Sequence, residues 1–407
     1  MGKVFESLYH SIYEYGLQEK EKMMDKLRIG IVGVGNMGSS HVRHLMEGHV
    51  DRCELVAVCD INETRLDKIQ KEYDEKLTYY TEYIEFLDHD MDAVLIATPH
   101  YDHPVMGMAA IDKGLHILVE KPIGVYTKAV EELNQKAQAS GKVFGIMYNQ
   151  RTNPIYQKAR DLIQSGELGE LVRVNWTITN WFRSQRYYDS GGWRATWEGE
   201  GGGVLLNQCP HQLDMIQWIC GMPKRIRGFC DYGKFHNIEV EDDVTAFFEY
   251  ENGATGLFIT STGEAPGTNR LEKSGEMGKL VIEDNTMTFY RNRVATRQHS
   301  DTTPEGFKPP ENWTCQIPVE GSATEHVGIM QNFTDAILDG TELLALGNEG
   351  IYGLTISNAI HLSDWMDDWV ELPIDGNLYY DRLQEKIKKS TYTKKVEEVV
   401  FDLKGSH

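Results

Sequence analysis

The sequence lacks three features that would assign it to a membrane, secreted or nucleic-acid-binding class. Its six cysteines form no Cys-x-x-Cys pair, so reduced thiols in a cytoplasmic protein are expected. No apolar run approaches the roughly 20 residues that span a bilayer. Lys and Arg number 41 against 62 Asp and Glu, giving a net charge of −21. That charge disfavours nucleic acid and anionic membranes as partners and favours neutral substrates, unless a local basic pocket overrides the average.

The N-terminus carries no recognisable targeting signal. It lacks the apolar core of a secretory signal, and Glu6 stands where myristoylation requires Ser or Thr. Phe5, Leu8 and Ile12 fall near helical spacing, so residues 1–25 are predicted to form an amphipathic helical extension. We expect a cytoplasmic protein whose first domain begins after this extension.

Two patterns of strands divide the remaining chain into two predicted domains. Residues 26–150 alternate short apolar runs with helical segments, as in a doubly wound parallel sheet covered on both faces. Residues 151–407 hold alternating, aromatic-rich strands joined by turns such as Asn252-Gly253, which predict an antiparallel sheet. Helices are predicted at about 204–220, 325–339 and 349–369, covering one face of that sheet. The segment 297–322 is predicted to be a long surface excursion, and the fold class is α/β followed by α+β.

The stretch "GVGNMG" directly follows the first apolar strand and opens a helix. Gly33, Gly35 and Gly38 have the GxGxxG spacing of a dinucleotide-binding turn, and Asp60 ends the next strand. Gly33 would permit the tight turn, Gly35 the approach of a pyrophosphate, and Gly38 close packing of helix on strand. Asp60 would accept hydrogen bonds from ribose hydroxyls and repel a 2′-phosphate. The pattern predicts a Rossmann domain that binds NAD in preference to NADP.

Further polar motifs follow the later strands of this half. "ATPHYDHP" follows one strand and "EKP" (Glu120 to Pro122) follows the next, at the edge where open α/β sheets bind ligands. Lys121 at that edge is placed to reach the nicotinamide end of a cofactor. In the second half, "GGGVLLNQCPHQLD" places Asn207, His211 and Asp214 on one face if the segment is helical. The glycines at 201–203 are expected to let the chain pass close to a ligand.

In this order, the motifs "GVGNMG", "ATPHYDHP", "EKP", "NQRTNP" and "GGGVLLNQCPHQLD" resemble the Gfo/Idh/MocA family of nicotinamide-dependent oxidoreductases. The resemblance runs from about residue 27 to 370. It implies a Rossmann domain paired with an open, mostly antiparallel sheet, and hydride transfer at a carbinol carbon. It also implies that Lys121 hydrogen-bonds the reacting hydroxyl and that His211 is the general acid or base.

The resemblance extends to the residues around the nicotinamide and the substrate. Asn149 and Arg151 match an N-x-R motif near the nicotinamide, and Trp193 with Arg194 match a W-R pair at the substrate pocket. The predicted cofactor residues are Gly33, Gly35, Asn36, Met37, Gly38, Asp60, Thr98, Pro99, His103, Glu120, Lys121 and Asn149. The predicted substrate residues are Asn149, Arg151, Trp193, Arg194, Asn207 and Asp214.

Asn207 departs from the family's pattern, which often has Asp four residues before the histidine. An amide cannot stabilise an imidazolium electrostatically, so Asp214 or another acid must substitute or Lys121 must take a larger share. The aromatic side chains of Trp176, Trp181, Phe182, Tyr187, Tyr188 and Trp193 either line a sugar-binding groove or pack the sheet.

The sequence therefore predicts an NAD-dependent dehydrogenase that oxidises a secondary ring hydroxyl of a sugar or glycoside. Position C3 is favoured, as in members that oxidise C-glycosides. An inositol dehydrogenase, a glycoside-cleaving enzyme that oxidises its substrate transiently, and a non-catalytic ligand sensor are the alternatives. No metal site is expected, because Cys209 and His211 lack partner ligands, and a homo-oligomer is expected through the open sheet.

Overall fold

The computed structural model describes residues 25–73 and 76–396. The predicted N-terminal helix over 1–25 therefore lies outside the described residues, except for Asp25. The described chain forms two sheets, one from each predicted domain. No helix of the described chain is long and apolar enough to cross a membrane.

The first sheet is parallel and has six strands. They are β1 (Leu27–Val32), β2 (Cys53–Cys59), β3 (Thr78–Tyr80), β4 (Ala93–Ile96), β5 (His116–Val119) and β6 (Phe144–Ile146). Their order is β3-β2-β1-β4-β5-β6. The order reverses at β1, and the carboxyl ends of β1 and β4 therefore flank a crevice where such sheets bind ligands. The sequence pattern missed only β3, whose three residues are too short to give a periodic signal.

Helices follow the strands of this sheet in turn. They are α1 (Asn36–Met46), α2 (Glu63–Tyr73), α3 (Tyr83–Leu87), α4 (Asp102–Asp112) and α5 (Thr127–Ser140). A 3₁₀ turn (Asn149–Thr152) and α6 (Pro154–Gln164) lead to the second sheet. Asn153 caps α6 by accepting a hydrogen bond from the Ile155 N–H, with Pro154 at the first helical position.

The second sheet has nine strands. They are β7 (Leu171–Ile178), β8 (Arg225–Tyr232), β9 (Glu241–Glu249), β10 (Thr255–Ser261), β11 (Asn269–Gly275), β12 (Gly278–Glu283), β13 (Thr286–Asn292), β14 (Asn312–Gln316) and β15 (Val370–Glu371). The order is β14-β13-β12-β11-β7-β10-β9-β8-β15, and only β7 and β10 pair in parallel. The predicted turn at Asn252-Gly253 joins β9 to β10, with Gly253 at φ +81°. The fold class predicted from the sequence is confirmed.

Further helices belong to the second half of the described chain. They are α7 (Gln185–Asp189), α8 (Pro210–Cys220), α9 (Thr296–Thr302), α10 (Glu325–Asp339), α11 (Gly350–Met366) and α12 (Gly376–Lys389). The segment 297–322 contains most of α9 and all of β14, so it is more regular than the excursion we expected. Ile146 at the end of β6 donates its N–H to the Ala345 carbonyl at 3.1 Å. This hydrogen bond joins the C-terminal half of the chain to the first sheet.

Candidate active site

The glycine-rich turn has the geometry that its three glycines predicted. Gly33 has φ +86°, which a side chain would strain. A Cβ on Gly38 would lie 1.8 Å from the Gly33 carbonyl oxygen, so α1 packs directly on the end of β1. A Cβ on Gly35 would meet nothing nearer than Arg65 Nη1 at 3.9 Å, which leaves this face open. Asn36 and Met37 begin α1, where the first N–H groups of a helix have no partner within the helix and can bind an anion.

Asp60 holds this turn from the end of β2. Its carboxylate accepts hydrogen bonds from the N–H groups of Val34 and Asn62, both at 2.8 Å. The half-exposed Arg65 guanidinium lies 3.4 Å from Asp60 and borders Gly35. Asp60 therefore has a structural task in addition to the ribose contact that we predict.

The turns after β4 and β5 are braced against each other. The two ring nitrogens of His103 lie 2.7 Å from the Pro122 carbonyl and 2.8 Å from the Thr98 carbonyl. Pro99 lies partly buried in the same turn. His103 therefore links the turn after β4 to the loop that carries Lys121. Contact between these residues and a cofactor remains a prediction.

Glu120 is buried beside the helix that follows the glycine-rich turn. Its Oε1 lies 2.7 Å from His41 Nε2 of α1, and its Oε2 accepts the Lys121 N–H at 3.0 Å. Burial raises the pKa of Glu120, but the hydrogen bond and charge of His41 outweigh it and lower the pKa to about 2. Glu120 is thus a fixed negative charge next to Lys121.

Asn149 supplies an unsatisfied polar group to the crevice. Its side chain is 1% exposed, and neither its amide oxygen nor its amide nitrogen has a hydrogen-bond partner within the described chain. Buried polar groups are nearly always paired, so an amide held this way is typical of a position that a ligand satisfies. Together with the open face at Gly35, this observation fits a bound dinucleotide.

Lys121 extends from the first sheet to the second half of the chain. Its Nζ donates a hydrogen bond to the Asn207 carbonyl at 3.0 Å. Burial lowers the pKa of Lys121, and the nearby charges of Arg194 and Arg183 lower it further, while Glu120 and Glu200 oppose them. A lysine in this environment gives up its proton more readily than a solvated one and is suited to proton exchange.

His211 lies in the first turn of α8, just after Asn207. The helix begins at Pro210, so the helix expected from residue 204 is wrong for 204–209, which form turns. The His211 ring is nearly buried and lies edge-on to the Tyr148 ring, with 6.2 Å between centroids. Tyr148 follows β6 just as Lys121 follows the neighbouring strand β5, so both lie at the same edge of the first sheet, where His211 packs beside Tyr148.

The three glycines before this turn have a packing role that the sequence did not predict. A Cβ on Gly201 would lie 2.1 Å from a methyl group of Val125, and one on Gly203 would lie 2.0 Å from the Glu241 carbonyl oxygen. All three glycines are buried. Packing of the chain on itself therefore already requires glycine here, with no reference to a ligand.

Arg151 and Asp214 face each other and not an open pocket. Arg151 donates two hydrogen bonds to the Asp214 carboxylate, at 2.8 and 2.7 Å, and both side chains are at most 1% exposed. Arg151 also donates to the Leu344 carbonyl at 3.1 Å and pairs with Glu349. Gln217 donates to Asp214 at 2.9 Å. This geometry assigns the pair to the junction between the sheets, so Asp214 is not the acid that compensates for Asn207.

Another acid does contact Asn207, and no motif in the sequence had singled it out. Glu200 is 2% exposed and accepts hydrogen bonds from the Asn207 side-chain amide and from the Ala195 N–H. Tyr187 donates its hydroxyl hydrogen to Asn207 Oδ1 at 3.1 Å and accepts a hydrogen bond from Arg194 at 3.0 Å. These residues form one network with Lys121.

Arg194 and Lys394 make the surroundings of Glu200 locally basic. The Arg194 guanidinium stacks over the Trp193 and Tyr187 rings, at 4.6 and 4.8 Å from their centroids. Lys394 donates to the carbonyls of Tyr188, at 2.7 Å, and of Arg194. No pattern in the sequence pointed to Lys394, which follows the last helix by several residues.

The six aromatic residues divide between the core and the surface. Trp176 and Tyr188 are buried, whereas the Phe182 ring is 54% exposed. Packing in the core therefore accounts for Trp176 of β7 and Tyr188 of α7, whereas Trp181, Tyr187 and Trp193 are partly buried. Within residues 25–73 and 76–396, no cluster of three His, Cys, Asp or Glu side chains is placed to hold a metal ion.

Comparison with known proteins agrees with this architecture. Residues 27–148 match the model of an oxidoreductase family with an NAD-binding Rossmann fold, and residues 156–281 match the GFO/IDH/MocA C-terminal domain. The chain is 25% identical to scyllo-inositol 2-dehydrogenase (NAD(+)) of Bacillus subtilis over 272 residues, or 64% of this chain and 75% of that protein. It is 28% identical to glycosyl hydrolase family 109 protein 1 of Shewanella sp. (strain ANA-3) over 300 residues, or 70% of this chain. That alignment spans 60% of the Shewanella protein.

Among solved structures, the WlbA dehydrogenase of Bordetella pertussis has a similar fold. Its complex with NADH and UDP-GlcNAcA superimposes with a TM-score of 0.72 at 23% identity, covering 86% of this chain and all of that one. The two family matches together cover more than half of the sequence and follow its two domains. The chain therefore belongs to the Gfo/Idh/MocA family of oxidoreductases and contains the NAD-binding Rossmann domain of that family.

Proposed function

We propose that this protein is an NAD-dependent dehydrogenase that oxidises a secondary ring hydroxyl of a sugar or glycoside, at C3. The observation that supports this most lies at the carboxyl edge of the first sheet. There Lys121 donates a hydrogen bond to the Asn207 carbonyl, and the His211 ring packs edge-on against the Tyr148 ring. The buried, unsatisfied amide of Asn149 follows Tyr148 at the same edge of the first sheet. A cofactor amide and a substrate hydroxyl are the groups that such a junction accommodates.

The residues that would hold NAD follow from the crevice. The N-terminus of α1 after Gly35 would bind the pyrophosphate, Asp60 the adenosine ribose, and Asn149 the nicotinamide end. When bound, NAD would accept the hydride that the carbinol carbon loses.

Lys121 and His211 would handle the hydroxyl proton. The lowered pKa of Lys121 makes its neutral amine accessible, so that this amine can take the proton as the carbonyl product forms. His211, in the first turn of α8, would exchange that proton with solvent or take it directly. General base catalysis of this kind typically contributes roughly 10²–10⁴-fold to the rate.

A cyclitol is the second candidate substrate, because a relative with this fold is named as a scyllo-inositol dehydrogenase. A glycoside-cleaving reaction with transient oxidation is the third, because the Shewanella relative is named as a glycosyl hydrolase. A non-catalytic sensor is the fourth, and the retained Lys121 and His211 argue against it.

One assay separates these candidates. The protein is incubated with NAD and a panel of glucose, O- and C-glycosides, a glucuronide and myo-inositol, while absorbance at the NADH band and product masses are followed. The glucuronide is included because Arg194 and Lys394 make the site locally basic. A 3-keto sugar with stoichiometric NADH supports the proposal, and reaction of inositol alone replaces it with the cyclitol enzyme. Aglycone without NADH indicates cleavage, and binding with no product indicates a sensor.

Self-association through the second sheet is a further part of the proposal. Phe229 and Phe247 are 53% and 37% exposed on neighbouring strands β8 and β9, on the face opposite α11. Exposed aromatic side chains on a broad sheet favour pairing with a second copy. Sedimentation equilibrium of the protein and of Phe247→Glu tests this, because a monomeric wild type would refute it.

A further inference from the structure

Glu200 is a buried carboxylate whose cationic neighbours, Arg194 and Lys394, make no close hydrogen bond to it. It is 2% exposed, and the nearest Arg194 nitrogen lies 4.0 Å from its Oε1. Its two direct donors, the Asn207 amide and the Ala195 N–H, are neutral. Burial raises the pKa of Glu200, and the charge of Arg194 opposes this. Burying a carboxylate that has no closely bonded cation destabilises a fold. A functional role would explain why Glu200 lies beside the active site.

Asn207 connects Glu200 to Lys121. One end of this residue, the side-chain amide, donates to Glu200, and the other end, the backbone carbonyl, accepts from Lys121 at 3.0 Å. The remaining amide oxygen accepts from Tyr187 and Gln208, each at 3.1 Å. Because its side-chain amide and its backbone carbonyl are both hydrogen-bonded, Asn207 has little freedom to move. Its carbonyl in turn restricts the position of the Lys121 amine.

Glu200 also affects Lys121 through its charge. Arg183 and Arg194 repel the Lys121 ammonium, and Glu120 and Glu200 offset this repulsion. Glu120 is already engaged by His41 at 2.7 Å. Glu200 approaches from the second half of the chain and so balances Lys121 on the side where the substrate would lie.

We propose that Glu200 is the positioning residue of this active site: acting through Asn207, it fixes the Lys121 amine and supplies the carboxylate that position 207 itself lacks. This inference rests on the proposed dehydrogenase function. It gives Glu200 a role towards Lys121, which is separate from the stabilisation of a His211 imidazolium for which the sequence suggested Asp214.

A simpler role is that Glu200 only braces the turn through the Ala195 N–H. Ala195 has φ +55°, an uncommon conformation for a residue with a side chain, so the turn does need support. Glu239 offers a matched control for this role, because its carboxylate accepts the Trp197 N–H of the same turn at 2.9 Å. Glu200 and Glu239 therefore both support this turn, and they differ in that Glu200 also accepts a hydrogen bond from Asn207.

The test compares Glu200→Gln, Glu200→Asp and Glu239→Gln with the wild type. Competitive acylation of Lys121 by acetic anhydride across pH, followed by peptide mass spectrometry, reports its ionisation without requiring turnover. In Glu200→Gln the lost negative charge should move the labelling midpoint to lower pH and lower kcat by about tenfold, with NAD affinity unchanged. In Glu239→Gln the midpoint and kcat should match the wild type.

Glu200→Asp separates position from charge. It keeps the negative charge but shortens the reach to Asn207, so the midpoint should stay near that of the wild type while kcat falls. This variant keeps the inference testable if Glu200→Gln does not fold. An unchanged midpoint in folded Glu200→Gln, or full turnover in Glu200→Asp, would overturn the inference. Absence of product from every substrate with the wild type would instead refute the proposed function, while the labelling result would still stand.

Discussion

Two polar clusters join the first sheet to the segment 200–214, and they differ in how their charges are satisfied. In one, Arg151 forms a paired, fully buried contact with Asp214 and adds Glu349 as a third partner. In the other, the partly buried Lys121 amine has, among the residues that the structure describes, only a backbone carbonyl as its direct partner, and its pKa is lowered. We call the Arg151 cluster saturated, because its charges are paired with opposite charges, and the Lys121 cluster unsaturated, because its cation has no directly bonded acid. A saturated cluster holds its side chains in place, whereas an unsaturated one can release or accept a proton. We infer that the first holds the crevice together and that the second performs its chemistry.

The strongest test of this comparison breaks the saturated cluster. Asp214→Asn leaves the Arg151 guanidinium buried beside a neutral amide, and we expect the free energy of unfolding to fall by about 3–5 kcal/mol. Urea denaturation at fixed pH measures it. Replacing both partners, as in Arg151→Met with Asp214→Leu, should cost clearly less, because the charge that then loses its partner, Glu349, is 29% exposed and can be solvated. A loss below about 1 kcal/mol in the single variant would show that the pair is not the structural element we describe.

The next test removes the unsaturated cation. Lys121→Met keeps the aliphatic stem, so stability and NAD affinity should change little, while turnover should fall by at least roughly tenfold to a hundredfold. His211→Gln should lower turnover over the same range. Because the neutral amine takes the proton, alcohol oxidation by the wild type should rise with pH through the lowered pKa of Lys121 and then level off. Steady-state rates from pH 6 to 10 measure this, and a rising limb that survives in Lys121→Met would assign it to another group.

A smaller effect is expected at the other end of the cofactor crevice. Asp60→Ala removes the acceptor predicted for the ribose and frees Arg65, which lies 3.4 Å away, to meet a 2′-phosphate. The ratio of NADP to NAD affinity should therefore rise by about tenfold, one lost charged hydrogen bond being worth roughly 1.5 kcal/mol. Fluorescence titration with both nucleotides measures it. In Asp60→Ala combined with Arg65→Ala the gain for NADP should disappear, and its persistence would contradict this role of Arg65.

The smallest effect should come from an ion pair that has the same Arg–carboxylate chemistry as Arg151 and Asp214 but is partly exposed to solvent. Arg225 and Glu249 approach to 2.7 Å, but about a third of each side chain is exposed on the second sheet. Glu249→Gln should lower the free energy of unfolding by less than about 1 kcal/mol, since solvent already screens the pair. The same urea experiment compares it with Asp214→Asn. Similar losses in the two variants would mean that burial does not distinguish them.

The cofactor half was predictable because its determinants are local. Gly33, Gly35 and Gly38 lie within six residues of each other, and each role follows from the absence of a Cβ at a known distance along the chain. Asp60 follows one strand later. Alternating apolar segments likewise specified the parallel sheet, because buried strands must be apolar on both faces.

The substrate half was less predictable because its contacts join distant segments. Asp214 follows His211 by three residues on α8, yet its partner is Arg151, 63 residues earlier in the chain. Gly201 and Gly203 were singled out for the approach of a ligand, which stays a prediction, while their close packing on Val125 and the Glu241 carbonyl was not foreseen. Spacing along a helix predicts which residues share a face, but it does not predict which distant residues that face contacts.

The sequence alone determined the family, the order of the two sheets and the dinucleotide turn, since these depend on periodicity and on short motifs. Only the tertiary structure decided which charges pair. It joined Arg151 to Asp214, placed Glu200 against Asn207, and brought Lys394 to the carbonyl of Arg194 from 200 residues away. The physical reason is that the strength of an electrostatic contact depends on distance and burial, and neither is encoded by position along the chain.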